Sequence, residues 1–185
     1  MVKRVSLFKV LRRELEPGLA SLGFNEIPRG PSERNSMLFY FKDTSCGTSL
    51  GFWFQRNVKS SFVDAVGSSF TLEFFRSLAD PFKMDARRRA FFLLTPPELE
   101  EMRFLQNKMI GRLPALVTVL KPYEMKLFSA DIEAKRQIII EPFNPLHDVW
   151  MRYRDELDLL AWTSFIGPLL PSLVERFDRA KPPGQ

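Results

Sequence analysis

The sequence predicts an α+β fold in which an antiparallel sheet of about four to five strands is covered by an N-terminal helix and by C-terminal helices. Three observations support this class. Apolar residues near the N-terminus recur at three- and four-residue spacing, as on one face of a helix. Three short, aromatic-rich runs follow, and short strands joined by short polar links favour antiparallel pairing. Beyond residue 95 the helical spacing returns.

The length indicates one domain. The chain has 185 residues, which fits a single folded unit with a substantial core. We therefore expect one α+β domain over residues 1–180 and a disordered tail at 181–185, where the sequence reads KPPGQ.

The first predicted element is an amphipathic helix from Val5 to Leu22. Basic residues such as Lys9 and Arg13 lie between its apolar positions, and Gly23 supplies its stop. The stretch 27–35 that follows contains two prolines and a glycine, so it predicts a loop.

Three strands are predicted next, at 36–42, 49–55 and 69–76. Successive side chains of a strand point to opposite faces, so the second and third strands each have a wholly apolar face and a mixed face. This pattern is typical of a sheet covered by helices on one side. The apolar face, expected to lie against the helices, carries Leu50, Phe52 and Phe54. The mixed face carries Trp53, Gln55 and Phe75.

A second helix is predicted to begin at Thr95 and to reach about Arg112. Thr95 can cap the helix, prolines fit its first turn, and Glu98 occupies the capping-box position. The acidic residues of this first turn are therefore expected to be structural rather than catalytic.

The C-terminal third is predicted to contain a strand and further helices. The segment 115–143 is ambiguous, because 115–120 and 138–140 have strand character whereas 129–137 could open a helix. We expect at least one strand near 136–141, and Asn144-Pro145 is a typical helix start. From Leu157 onward apolar residues recur at helical spacing, with a kink or break expected at Gly167-Pro168 and Pro171.

Composition and charge restrict the class of protein. Cys46 is the single cysteine and cannot form an internal disulfide, which favours a reducing, cytoplasmic location. No stretch approaches the roughly 20 apolar residues of a membrane span, so we expect a soluble protein without a membrane partner. The formal net charge of +5 is compatible with nucleic acid, anionic lipid or an acidic protein.

Few motifs point to catalysis. The sequence has no P-loop and no GxGxxG, HExxH or GxSxG motif, and His147 is its only histidine. We therefore expect no catalytic residue, no metal ligand and no cofactor. Glu133-Ala134-Lys135 matches half of a metal-dependent nuclease core, but Glu124-Met125-Lys126 matches equally well, so the pattern is not specific. Whether the chain is an enzyme stays open, and a non-enzyme is the preferred interpretation.

The candidate binding residues are Trp53, Gln55, Arg56, Arg87, Arg88 and Arg89. The arginine triplet could neutralise phosphates if it shared a surface with the basic residues of the first helix. An open sheet face around Trp53 would suit base stacking. However, the order of elements differs from that of RNA-recognition domains, so a core position is preferred for Trp53.

Short motifs mark the first half of the chain: Leu22-Gly23-Phe24 after the first helix, Gln55-Arg56 at a strand end and Phe70-Thr71-Leu72 in the next strand. In this order they resemble the bacterial family called domain of unknown function 4304. The resemblance implies a small bacterial α+β domain of a kind found in toxin-immunity neighbourhoods, and it transfers no catalytic residue.

The leading hypothesis is a non-enzymatic bacterial binding domain, of the immunity or antitoxin type, that acts by protein–protein contact. Its positive charge suits an acidic protein partner. The alternative is a nucleic-acid-binding protein that uses a basic surface, and a metal-dependent nuclease is the least favoured of the three.

Overall fold

A computed structural model describes residues 6–27, 37–44, 48–56, 68–77, 86–111 and 151–179. Within these ranges the chain forms α-helices, a 3₁₀-helix and the strands of one sheet. The elements of the first part are α1 (Leu7–Ser21), β1 (Asn25–Glu26), β2 (Met37–Asp43), β3 (Ser49–Arg56) and β4 (Ser68–Ser77). Those that follow are β5 (Ala86–Arg89), a 3₁₀-helix (Ala90–Leu93), α2 (Pro96–Gly111), β6 (Met151–Tyr153) and α3 (Glu156–Arg179).

The described strands form one antiparallel sheet, which confirms the predicted α+β class. The strand order is β1-β2-β3-β4-β5, and β6 pairs with β4 on the same edge as β5. The predicted strands at 36–42, 49–55 and 69–76 are confirmed to within one residue at each end. β5 and β6 are additional to the predicted strands, because both are shorter than the runs that sequence periodicity detects.

The main hydrophobic core lies between the sheet and the helices. Leu50, Phe52 and Phe54 are buried there together with apolar residues of α1, α2 and α3, as predicted. The ring of Phe74 packs on that of Phe177 from α3, with 5.7 Å between centroids. Aromatic pairs of this kind add about 0.5–1.5 kcal/mol beyond the burial of area.

The helix α1 ends at Ser21 in a Schellman motif, in which Gly23 supplies the predicted stop. The Gly23 N–H donates to the carbonyl of Ala20, and the Phe24 N–H donates to the carbonyl of Leu19, both at 3.0 Å. These bonds satisfy carbonyls that the end of the helix leaves free. Gly23 has a φ of 81°, which glycine adopts without the steric cost of a Cβ atom.

The start of α2 is the predicted capping box. The Thr95 N–H donates to Glu98 Oε2 at 2.6 Å, and the same carboxylate accepts bonds from Arg176 of α3 at 2.6 and 2.9 Å. The Arg176 guanidinium is the main reason that the pKa of Glu98 falls to about 2; burial opposes this shift, and the Thr95 hydrogen bonds support it. Glu98 thus fastens the start of α2 to the last turns of α3.

The predicted kink or break at Gly167-Pro168 and Pro171 does not interrupt α3, which runs from Glu156 to Arg179. Proline removes the hydrogen bond to the carbonyl four residues earlier. Both proline rings are exposed, so water can reach the freed carbonyls on that side of the helix. The opposite side stays buried in the core and holds the helix together.

Among the described helices, α3 is long and apolar enough to cross a membrane by length and composition. It has 24 residues, and 50% of its most apolar window is buried inside the fold. Trp162, Ile166 and Leu170 of this helix belong to the main core. A half-buried core helix of this kind is consistent with a soluble protein.

Several sequence predictions fall outside the described residues. These are the strand near 136–141, the helix start at Asn144-Pro145 and the disordered tail at 181–185. Cys46, His147 and both acid-x-lysine tripeptides lie outside as well.

Gly51 in β3 is required by the close approach of its neighbours. Phe75 lies directly opposite it on β4. A Cβ atom at residue 51 would lie 2.6 Å from Phe75 Cε1 and 2.6 Å from the carbonyl oxygen of Tyr40. The aromatic ring therefore covers the glycine and replaces the side-chain packing that glycine cannot provide within a strand.

Gly51→Ala is expected to lower the free energy of unfolding by about 1–3 kcal/mol, because the Phe75 ring and the Tyr40 backbone must both move. Gly18→Ala on α1 is the matched control, since a Cβ atom there meets nothing within 4 Å. Its expected effect is a gain of about 0.5–1 kcal/mol from helix propensity. Urea unfolding measures both values, and a Gly51→Ala variant as stable as the wild type would contradict the packing described.

Glu98 is expected to make stability depend on pH. Its pKa is lower in the fold than the usual 4.5, so it contributes stability above that pH, and this stability is lost as the pH falls towards about 2. Near neutral pH the wild type should exceed Glu98→Gln in free energy of unfolding by on the order of 2 kcal/mol, and the difference should shrink towards zero near the folded pKa. Urea unfolding across this pH range measures the difference. A difference that does not change with pH would be the opposing result.

Candidate functional site

The predicted binding residues divide between the two faces of the sheet. Arg56 and Arg88 lie on the face that the helices cover, because they pair with Phe70 and Phe74 of the main core. The opposite face is called the outer face. The predicted residues on it are Trp53, Gln55, Arg87 and Arg89. The structure therefore brings the tryptophan and two of the three arginines of the triplet together, and separates the third.

Trp53 is a buried residue and not an open stacking platform. Its side chain is 3% exposed, and its ring packs between Phe39 at 5.3 Å and Phe75 at 5.4 Å, measured between centroids. The guanidinium of Arg87 lies 5.0 Å from the centroid of the Trp53 ring, within the range of a cation–π contact. The preferred interpretation of Trp53 as a core residue agrees with this position.

The outer face has a buried ion cluster, which consists of Glu73, Arg87 and Arg89. Glu73 is 1% exposed. It accepts bonds from Arg87 Nε and Nη2, each at 3.0 Å, and it forms an ion pair with Arg89 Nη1. The cluster exists because Arg89 lies directly opposite Glu73 on β5 while Arg87 is its diagonal neighbour on the same face.

Sequence reasoning missed Glu73 and the strand that carries its partners. An arginine triplet resembles a solvated or nucleic-acid-binding run, and β5 is only four residues long. The sequence does contain one indication of the cluster. Arg87 and Arg89 are two residues apart, so in a strand their side chains point to the same face. It becomes informative only when the neighbouring strand places a carboxylate opposite them.

Arg152 extends the polar part of the outer face. It lies opposite Ser69 on β6 and is buried. Burial lowers the pKa of its guanidinium to about 10. The Gln106 Oε1 accepts from its backbone N–H at 3.0 Å, and the Trp162 indole donates to its carbonyl at 2.7 Å, so its peptide groups are fixed by α2 and α3.

Arginines of the predicted basic helix face also contact carboxylates of the same chain. Arg12 donates to both oxygens of Glu26, at 2.7 and 2.6 Å. Arg13 contacts Glu14 and, at 2.7 Å, Glu156 of α3. With the two arginines of the ion cluster, four of the predicted basic residues therefore pair with carboxylates of the same chain.

An exposed leucine lies beside this last ion pair. Leu157 is 70% exposed and follows Glu156, which Arg13 contacts. Lys9 is exposed one turn before Arg13 on α1, and Arg154 is exposed just before α3. These residues, Lys9, Arg13, Arg154 and Leu157, are called the Leu157 surface. It combines one apolar side chain with three cationic ones, of which Arg13 is paired with the carboxylates of Glu14 and Glu156.

The described residues contain a small apolar cavity in the main core. Its volume is about 20 Å³, enough for about one water molecule. It is lined chiefly by apolar side chains such as Phe91, Met102 and Phe165. Over the same part of the chain, histidine, cysteine and carboxylate side chains form no group of three that could hold a metal ion.

Known proteins give no template for this site. Neither family models, nor curated proteins, nor solved structures match this chain. Its function has therefore to be argued from the contacts, burial and charge of its own residues.

Glu73→Ala is expected to lower the free energy of unfolding by about 3 kcal/mol, because it leaves the buried Arg89 guanidinium without its carboxylate and also removes the partner of the half-buried Arg87. Replacing Glu73, Arg87 and Arg89 together by methionine should restore a large part of this loss, since no buried charge then lacks its partner. Urea unfolding, followed by the fluorescence of Trp53 and the other tryptophans, measures these values.

Glu100→Ala is the matched control for this prediction. Glu100 contacts Arg103 at 3.1 Å, but its side chain is 67% exposed, so its loss should change stability by less than about 1 kcal/mol. Similar effects of Glu73→Ala and Glu100→Ala would show that the cluster does not stabilise the sheet.

Proposed function

We propose that this chain is a non-enzymatic binding domain of the immunity or antitoxin type, which acts by contact with another protein. The observation that supports this proposal over nucleic-acid binding is the use of its cations. Arg12, Arg13, Arg87 and Arg89 each contact a carboxylate of the same chain. A nucleic-acid surface needs cations that replace the counterions of phosphates, and arginines held by internal carboxylates serve this purpose poorly.

The Leu157 surface is the proposed contact region. An apolar side chain that is 70% exposed can be buried by a partner, which provides the hydrophobic part of the binding energy. Lys9 and Arg154 around it favour an acidic partner, in agreement with the net charge of +5, whereas Arg13 already contacts Glu14 and Glu156. Charge complementarity mainly sets the association rate and the choice of partner, while the leucine contributes affinity.

The resemblance of the N-terminal half to the bacterial family called domain of unknown function 4304 supports the same proposal, because such domains occur in toxin-immunity neighbourhoods. The motifs behind it, Leu22-Gly23-Phe24 among them, form structural features of the fold: the Schellman motif, the end of β3 and part of β4. A cytoplasmic location and a function without a cofactor belong to this proposal.

The experiment is affinity capture from the native host with three baits: the wild type, Leu157→Asp and Ser164→Asp. We expect the wild type to retain one protein at about equal molar amount, and Leu157→Asp to lose it, because a carboxylate in the centre of the contact repels an acidic partner and cannot be buried. Ser164→Asp is the control, since it places the same charge at an exposed position two turns along α3.

The alternative is tested with the same proteins and labelled duplex DNA and single-stranded RNA. A protein-binding domain should show no tight binding to either. Binding that falls steeply with salt, without a stoichiometric protein in the capture experiment, would overturn the proposal in favour of a nucleic-acid-binding function. A captured protein that all three baits retain equally would remove the Leu157 surface from the proposal.

A further inference from the structure

The helix α2 exposes a large aromatic side chain to solvent. Phe104 is 66% exposed, whereas Leu99, Met102 and Met109 of the same helix are buried in the main core. Residues three, four and seven positions away share its side of the helix. This exposed side of α2, called the α2 face, consists of Pro97, Glu100, Glu101, Phe104, Asn107 and Lys108.

A single exposed aromatic residue is common on protein surfaces and indicates no partner by itself. The second observation is the charge pattern around Phe104. Glu100 lies four residues before it and Lys108 lies four residues after it, and all three side chains are exposed. Acidic and basic groups therefore stand at equal distances on either side of the aromatic ring.

This pattern is complementary to itself when two copies of the helix run antiparallel. A two-fold axis through Phe104 places the ring of one copy against the same ring of the other. The same operation places Glu100 of each copy opposite Lys108 of the second copy, so the ion pair forms twice. Glu101, on the same side as Glu100, adds a further carboxylate near each lysine.

The α2 face is also held rigidly, which lowers the entropic cost of association. Its start is tied to α3 through Glu98 and Arg176, and its middle is tied to β6 through Gln106 and the Arg152 N–H. The contact between Glu100 and Arg103 lies on the surface and is weak, so it can be exchanged for a contact with a second copy.

We infer that the α2 face is an interface between two copies of this chain, related by a two-fold axis near Phe104. A helix of 16 residues is about 24 Å long, so the contact is confined to a short stretch around the two Phe104 rings. We expect a weak dimer with a dissociation constant in the micromolar range or above. This inference is independent of the proposed function and of the Leu157 surface.

Sedimentation velocity tests it over a concentration series from about 1 μM to about 1 mM. The wild type should change from monomer to dimer within this range, and Phe104→Asp should remain monomeric throughout. Lys108→Glu should weaken the dimer at least about tenfold, because it brings like charges together. The swap Glu100→Lys with Lys108→Glu should restore the wild-type dissociation constant to within about threefold, since the charges are complementary again.

Leu157→Asp is the control, because Leu157 is the other strongly exposed large apolar residue in the described part of the chain and lies outside α2. It should leave the dissociation constant unchanged. Circular dichroism shows whether each variant is folded. If Phe104→Asp misfolds, Phe104→Ser replaces it. A wild type that stays monomeric to the highest concentration overturns the inference. So does a dimer that persists in folded Phe104→Asp or Phe104→Ser, or a charge swap that fails to restore association.

Discussion

The buried carboxylate of Glu73 constrains the far edge of the sheet. An ion of this size that loses its water costs several kcal/mol unless partners replace the lost hydrogen bonds. Arg87 and Arg89 provide these bonds only in the register that places Arg89 opposite Glu73. A slip of β5 by one residue would turn both arginines towards the apolar core. The ion cluster thus contributes specificity of pairing to a strand that is too short to define its own register.

Arg87 belongs both to the ion cluster and to the aromatic packing of the outer face. Arg87 contacts Glu73 and also covers the ring of Trp53, which packs against Phe75. Phe75 in turn covers Gly51. The ion cluster, the ring contacts of Trp53 and the close packing over Gly51 therefore form one continuous set of contacts across adjacent strands. These residues are engaged with one another inside the fold. Among the described residues, the strongly exposed large apolar side chains are those of Phe104 and Leu157, and both lie on helices.

Sequence patterns predicted those parts of the fold that depend on interactions between residues close together in the chain. The alternation in β3, the stop at Gly23 and the capping box at Glu98 depend on residues a few positions apart, and all three are confirmed. β5, β6 and the partners of Glu73 depend on contacts between distant segments, which a single sequence does not display. The prolines of α3 do not break the helix, because tertiary packing of the buried side outweighs a local loss of hydrogen bonds. Of the candidate binding residues, Trp53 was recognised as interior, whereas the exposure of Phe104 and Leu157 has no signature in the sequence.

The pairing of β4 with two strands on one edge has a consequence for biosynthesis. β5 follows β4 closely in the chain, but β6, which covers Ser68–Phe70, comes from beyond residue 150. Pairing two strands that are so far apart in the sequence carries an entropic cost and slows folding. As the chain leaves the ribosome, most of the sheet can assemble while this end of β4 still lacks its partner, and an unpaired strand end is prone to aggregate. β6 therefore completes, from residues 151–153, a strand pairing that β4 offers in the first half of the chain.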